Sequence, residues 1–530
     1  MSNLFDILLK RMNGAHNSGA DNSIADGALW QDLLSGGEFF DLPPQAFPDY
    51  RSTVPTGDYP VQVSVGVSGG GQTAASLPYT TFTTTLGSTI TTTGAKWSGI
   101  SFSAAEGYWY PPDNAMAANN AALGAQTVVS SENGAVRIDT FSGGGLATSV
   151  QSGWSTLFGA PASGFFYTDP RVIFDPAAGK FIIAVDEVNT TTAQSYFVYA
   201  VSNSSAPTTF SSGWAVHSVS TTYAGTWSDQ PLVALNGANL YVTTNQFNAS
   251  GTYQGDNMTI ISNYASPTSA TLIPSLGGPS YQPATVEDGT SSTQYFVSHN
   301  GSSLDVIAVN GTTETVVGNV LGMPAGGNFS ESQYGSKYKL DAGDGRVTSA
   351  VYDAKNNLLY AIFEVAGGSA PTDELVQINL TSNAVDVVPL NNLLPSTGST
   401  QGAGTFNASL AVDSLGDLLV NFNVSGPKMY AADYYALWDA SNGAAPTPTA
   451  SNYSTLYDYN NSVAAYVDPG RDSVGRWGDY STALPNLSAS NAFYISNEYD
   501  NGTVSVLGRS YSSWGTVLAS VTAGSSVVTA

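Results

Sequence analysis

Tyr167-Thr168-Asp169-Pro170-Arg171-Val172-Ile173-Phe174-Asp175, followed one turn later by Lys180-Phe181-Ile182-Ile183-Ala184-Val185, sets the pattern from which the fold is read. A polar, proline-containing approach enters an apolar run rich in β-branched and aromatic residues. The chain turns at Gly179 and leaves through a second such run, the pattern of a β-hairpin. The same grammar recurs in Pro112-Asp113-Asn114 through Val128, Trp227-Ser228-Asp229-Gln230-Pro231 with Leu240-Tyr241-Val242, Gln282-Pro283 through Val297, and Gly345-Arg346-Val347 through Ile362. It recurs again in Phe406-Asn407-Ala408 through Val420, and in Arg476-Trp477-Gly478-Asp479-Tyr480 through Ile495. With Asp113, Asp169, Asp229, Pro283, Arg346, Asn407 and Asp479 as register marks, the units repeat every 54 to 72 residues, room for four strands and long loops. Third-strand candidates are Tyr196 to Val201, Met258 to Ser262, Leu304 to Val309, Leu375 to Leu380, Tyr434 to Trp438 and Val504 to Leu507. One such sheet cannot cover both of its own faces, so the sheets pack radially about an axis. The expectation is an all-β chain forming a seven-bladed β-propeller. Six or eight blades are the alternatives, because the first unit and the stretch 262–291 are the least regular.

Outward from the repeats, the chain divides into an N-terminal arm with short helices (1–50), a β-rich extension (51–105) and the propeller (106–530). Helical spacing is confined to Leu4, Ile7, Leu8 and Met12 and to Leu29, Trp30, Leu33 and Leu34. Val61, Val63, Val65 and Val67 alternate as a half-exposed strand would, in a small β-subdomain or in strands that pair with the main body. The 530 residues carry 40 acidic and 15 basic side chains, a net charge of −25. Nucleic acid and anionic membrane are therefore poor partners. No run of 18 apolar residues predicts a membrane span. Lys10-Arg11 follows the first apolar residues instead of preceding them, so no secretory signal is recognised. The absence of cysteine and 14 Asn-x-Ser/Thr sequons nevertheless point to an extracellular or cell-surface protein. The glycosylation candidates are Asn189, Asn203, Asn248, Asn257, Asn300, Asn310, Asn328, Asn379, Asn407, Asn423, Asn452, Asn460, Asn486 and Asn501.

Several segments resemble a bacterial, mostly uncharacterised group of extracellular sialidase-like β-propeller proteins. They are Pro111-Pro112-Asp113-Asn114, the Asp169-Pro170 strand with Phe174-Asp175 and Lys180-Phe181, Asp229 and Pro231 with Tyr241-Val242-Thr243-Thr244-Asn245, the hairpin Ala408 to Asn421, and Arg476-Trp477-Gly478-Asp479-Tyr480 with Asn497-Glu498-Tyr499 and Trp514-Gly515-Thr516. The resemblance spans Trp97 to Val521. It departs after Pro-Pro-Asp, where relatives continue with a Gly-Pro-Asn turn and this chain reads Ala117-Ala118-Asn119-Asn120. It implies a test, because sialidases hold a carboxylate with three arginines, use a Tyr/Glu nucleophile and carry Ser-x-Asp-x-Gly-x-Thr-Trp boxes. No such box occurs here.

Arg171, Arg346 and Arg476 fall at the inner ends of three blades and could converge on the axis, or Arg171 and Arg476 could form structural ion pairs with Asp169, Asp175 or Asp479. Asp113, Asp169, Asp229 and Asp479 recur at one place in their units. They form either a ring for Ca²⁺, a hard ion wanting six to eight oxygens, or corner residues that accept backbone N–H bonds. The corner role is the favoured expectation, and no cofactor is required. Glycoside hydrolysis needs a carboxylate pair, for which Asp229, Asp479 and Glu498 are the nominees. His16, His217 and His299 lack zinc spacing and read as surface or loop residues. Trp477 and Trp514 are expected to cover blade interfaces; Tyr108 to Tyr110, Tyr434-Tyr435 and Tyr457 to Tyr459 could stack on sugars.

Two functions follow. One is a secreted or cell-surface propeller with a non-catalytic binding or structural role, contacting glycans or other copies of itself through the arm. The alternative is a sialidase-like glycan-cleaving hydrolase at the channel mouth. The first predicts paired arginines, the second unpaired arginines facing a pocket with two carboxylates.

Overall fold

A computed structural model describes residues 45–46, 91–102, 109–122, 124–267, 269–274, 280–286, 291–311, 313–394, 398–438, 457–461, 474–475, 477–489, 492–506 and 509–523. The arm, apart from 45–46, and the extension before 91 lie outside them.

Seven antiparallel sheets stand around one axis. Blade one is Ala115–Ala118, Thr127–Glu132, Ala135–Ser142 and Gly145–Gly153. Blade two is Phe166–Asp175, Lys180–Asn189, Gln194–Ser202 and Trp214–Ser220, and blade three Trp227–Asn236, Asn239–Phe247, Tyr253–Ser262 and Ser269–Pro274. Blade four runs Gln282–Pro283, Gln294–Asn300, Ser303–Asn310 and Thr313–Leu321. Blade five runs Val347–Asp353, Leu358–Ala366, Pro371–Asn379 and Val385–Pro389, with Thr285–Val286 laid parallel along its inner edge. Blade six is Gly404–Val412, Leu418–Gly426, Met429–Trp438 and Tyr457–Asn461. Blade seven is Thr482–Pro485, Ala492–Val506 and Arg509–Ala523, and its fourth strand, Thr91–Ser101, comes from before blade one. The N-terminal side of the chain thus closes the ring, with Trp97 opposite Leu518 and Ser98 opposite Val517. Gly99 lies where a Cβ would overlap the Thr516 and Leu518 side chains.

Middle strands open on apolar runs and are buried along most of their length, because neighbouring blades cover each on both faces. Leu418–Gly426 is buried at every position, whereas the outermost strand Gly145–Gly153 is largely exposed. Apolar clusters seal the interfaces: Phe181 and Val198 against Val129 and Ile138, Tyr360 and Ile362 against Phe422 and Trp438, and Leu419 and Tyr435 against Phe493 and Val517. At the closing seam Met116 and Val128 meet Tyr494 and Leu518. Trp477 and Trp514, 1% and 0% exposed, pack with Ile100 and Phe406 between blades.

Three expectations change. Val504 to Val506 belongs to the second strand of blade seven, which runs 15 residues, so the third strand is Arg509–Ala523. Tyr434 and Tyr435 are buried strand residues, withdrawn from any sugar. His299 is buried, with Nδ1 at 2.7 Å from the Gly345 carbonyl and its ring stacked on Phe363. No helix among the described residues is long and apolar enough to cross a membrane.

Candidate functional site at the propeller axis

The inner strands reach the axis through a shared distortion. Pairing with the second strand slips by one residue between Thr168 and Arg171, Asp229 and Leu232, Val347 and Ser349, and Phe406 and Ser409. Each slip is a β-bulge, which bends the strand and re-aims its side chains. A left-handed residue sits in the bulge, namely Asp169 (φ 53°), Gln230 (φ 54°) and Asn407 (φ 52°), and Asp113 (φ 52°) holds the same place in blade one. Asp and Asn tolerate this conformation better than other non-glycine residues, because their short side chains bond locally. In blade five the left-handed residue is Gly345 (φ 82°), which precedes the strand and its bulge, and a Cβ there would stand 2.6 Å from the Gly326 Cα.

These bulges link the blades into a hydrogen-bonded ring. The Asp479 N–H donates to Asp113 Oδ1 at 2.6 Å, across 366 residues, and Asn133 Nδ2 donates to Asp113 Oδ2 at 2.6 Å. The Asp169 N–H donates to Asn133 Oδ1 at 2.9 Å, and Asp169 Oδ2 accepts from the Gln230 N–H at 2.9 Å. Gln230 Oε1 accepts from Asn245 and from Arg346, whose Nε donates to Asp344 at 2.8 Å. The Asn407 N–H donates to Glu364 Oε1 at 3.1 Å, and Asn407 Nδ2 returns to the Gly478 carbonyl at 2.6 Å. Asp113 and Asp169 thus take N–H groups of a neighbouring blade, tying blade to blade where the sequence suggested corners of their own turns.

Electrostatically the ring holds more acids than cations. Asp169 and Asp229 share a side-chain hydrogen bond, which requires a proton on one of them. Burial, then neighbouring carboxylates, pushes both carboxyls up, and Asp186 behind them likewise. Glu498, 0% exposed, accepts the Gly478 N–H at 2.6 Å, and burial raises it well above the usual range. Asp113, Asp169, Asp229 and Asp479 do gather at one end of the axis. Among the described residues, however, no group of three or more acidic or histidine side chains is arranged to hold a metal ion.

Below the ring the axis opens into a cavity of about 250 Å³. Arg171 and Tyr480 form its floor with Asn114 and Gln282, and its wall is Met116, Ile173, Val233, Val286, Thr482 and Leu484 among others. The Arg171 guanidinium lies 3.4 Å from the centre of the Tyr480 ring, and its Nε donates to the Pro231 carbonyl at 2.7 Å. Arg346 faces a separate gap of about 20 Å³ beside Asp344, Glu364 and Asp479. Arg171 and Arg346 are therefore held by the ring separately, and Arg476 lies outside the described residues. No Asp or Glu lines the larger cavity among the described residues.

Asn133, Gln230, Asn245 and Tyr480 join the site without standing out in the sequence as candidates. The only available signal was adjacency, Gln230 and Tyr480 following Asp229 and Asp479 in their marks. Among the sequons, Asn203, Asn310, Asn328 and Asn501 are exposed and Asn248, Asn300 and Asn379 half-buried. Asn189, Asn257, Asn407, Asn423 and Asn486 are buried; Asn452 lies outside the described residues, and the Asn460 side chain is not described.

No protein-family model matches the chain, and no curated protein matches it. Similar solved structures include a Trypanosoma rangeli sialidase in complex with the inhibitor DANA, at 10% identity over 67% of this chain and 54% of that one, with a TM-score of 0.34. A glycosyl hydrolase from Bacteroides ovatus is similar at 12% identity over 55% and 88% of the two chains, with a TM-score of 0.29. An exo-β-1,3-galactanase from Phanerochaete chrysosporium is similar at 11% identity over 67% and 92%, with a TM-score of 0.31. The chain thus spans about half the length of the trypanosomal sialidase. These likenesses concern propeller architecture alone.

Proposed function

We propose that this chain is a secreted or cell-surface β-propeller that binds glycans or neighbouring copies of itself and does not turn over a substrate. The observation that carries this reading is where the charged groups go. Arg346 is committed to Asp344 and Gln230, Asp229 to Asp169, and Glu498 to the Gly478 N–H, while the larger cavity is lined by an arginine without a carboxylate. A glycosidase needs two carboxyl groups flanking a bound sugar; here Asp229 is paired with Asp169 and Glu498 with the Gly478 N–H. Placement among bacterial extracellular sialidase-like propellers, contacts through the arm and occupied sequons belong to the same proposal.

The test is to incubate the full chain with fluorogenic sialosides, galactosides and glucosides from pH 3 to pH 8, alongside the variant Asp229→Asn, and to print the wild type on a glycan array. The reading expects no turnover, together with array binding or concentration-dependent self-association. Hydrolysis by the wild type that disappears in Asp229→Asn overturns it in favour of a hydrolase.

A further inference from the structure

The cavity below the ring has two halves of different chemistry. Its wall, from the inner strands of blades one, two, three and seven with Val286, is aliphatic, and its far rim passes through Ala118, Pro176, Leu235 and Leu487, the last 41% exposed. Its floor is polar and incompletely bonded. Asn114 gives its Nδ2 to the Tyr480 carbonyl, but its Oδ1 has no hydrogen-bond partner among the described residues. Gln282 gives its Nε2 to the Pro283 carbonyl and leaves Oε1 without one. Arg171 Nη2 and the Tyr480 hydroxyl are buried and likewise without a hydrogen-bond partner. Buried polar atoms are nearly always paired, because leaving one unpaired forfeits its hydration. All four atoms belong to residues that line the cavity, two of them acceptors, one a donor N–H and one a hydroxyl.

We propose that this cavity is a binding site for a small amphipathic molecule, an apolar body ended by a hydroxyl or carboxyl head. The head accepts from Arg171 Nη2 and the Tyr480 hydroxyl and donates to Gln282 Oε1 or Asn114 Oδ1, while the body fills the aliphatic shaft. The volume suits this class, since dry apolar cavities of roughly 150 Å³ already take benzene and this one is about 250 Å³. A hydrocarbon without a head leaves the floor unpaired, and a large polar sugar meets a mostly aliphatic wall whose polar groups are the hydroxyls of Thr285, Thr348, Ser481 and Thr482. The site adjoins the acidic ring, since Arg171 and Tyr480 also face Asp169, and it goes beyond the binding reading above.

The experiment measures binding of benzyl alcohol, benzoic acid and toluene to the full chain by saturation-transfer NMR and calorimetry. These probes share a ring and differ in the head. Benzyl alcohol or benzoic acid is expected to bind at least tenfold more tightly than toluene. Thr285→Phe, at an exposed lining position, is expected to abolish binding of all three, with circular dichroism reporting that the fold is kept. Tyr480→Phe and Gln282→Leu reduce the alcohol's advantage and leave toluene unchanged, whereas Arg171→Met removes that of the acid; which head is preferred identifies the ligand class. Absence of binding by every probe at millimolar concentration overturns the proposal. So does equal binding of toluene and benzyl alcohol, which assigns the floor atoms to ordered water. The wild-type comparison decides the matter even where a variant fails to fold.

Discussion

Replacing Glu331 by glutamine tests the claim that this propeller is built from carboxyls that fold protonated. Glu331 is 2% exposed; its Oε1 accepts the Ser332 N–H at 2.6 Å, and its Oε2 packs against Gly404 with no hydrogen-bond partner among the described residues. Burial pushes its carboxyl from 4.5 up to about 8, against a weaker pull from the Ser332 N–H and Lys339. Between those values the folded state binds a proton that the unfolded chain has released, so stability falls as pH rises. The contribution is fully present below pH 4.5 and is lost as pH climbs towards about 8. At pH 7 the gap of roughly 2.5 units above the unfolded value corresponds to a loss of about 3 kcal/mol. That is a large share of a net stability of ~5–15 kcal/mol. Glutamine keeps the acceptor and carries no titrating proton. Urea unfolding at pH 4 and pH 7, extrapolated linearly to water, is therefore expected to show a fall in stability that is smaller in Glu331→Gln than in the wild type by about 3 kcal/mol. An equal fall in the two proteins, to within about 0.5 kcal/mol, a few tenths of a pH unit in linkage terms, refutes the argument, whatever the variant does to stability at either pH alone.

Three further outcomes are expected. Asp113→Ala removes the 2.6 Å bond from the Asp479 N–H that joins blade seven to blade one, together with the 2.6 Å bond from Asn133 within blade one, and is expected to cost about 2–4 kcal/mol, read as a lower thermal midpoint; no change rules out the ring as the closing device. Gly345→Ala forces a Cβ onto the Gly326 backbone at φ 82° and is expected to destabilise by more than about 1 kcal/mol, whereas alanine at the open Gly237 serves as a left-handed control without the clash. In a glycosylating host, glycopeptide mass spectrometry is expected to find Asn203, Asn310, Asn328 or Asn501 occupied and Asn257, Asn407 and Asn423 bare; modification at a buried position contradicts the strand assignments.

The repeat was legible because one backbone event leaves a residue-type trace. A left-handed residue in or just before the inner strand favours Asp, Asn or Gly, and Asp113, Asp169 and Asn407 sit on that event itself, so spacing them apart counted blades. Where the left-handed place is filled by a residue of weaker preference the mark slips: Asp229 stands one residue before Gln230, and Pro283 stands three after Ser280 (φ 45°). A count survives slips of this size, since the period is more than ten times larger. The closing strand was harder to see, because Thr91–Ser101 is an outermost strand whose threonines and glycines carry little apolar signal of their own.

The site was legible only in half. Residue type showed which positions could bear charge, but whether Arg346 faces a ligand or Asp344 depends on contacts between blades hundreds of residues apart, which no local pattern encodes. Protonation is further still from the sequence. A net charge of −25 suggests a solvated acidic surface, yet Asp186, Glu364, Asp373 and Glu498 stand inside, and desolvation holds Asp186, Asp373 and Glu498, and the half-buried Asp229, towards their neutral forms. A neutral carboxyl both donates and accepts, as an amide does, so it can bridge two blades where an ionised one would repel its neighbours. Acidic residues at the axis are thus compatible with a tight ring to the extent that protons accompany them, which makes ring integrity and solution pH one question.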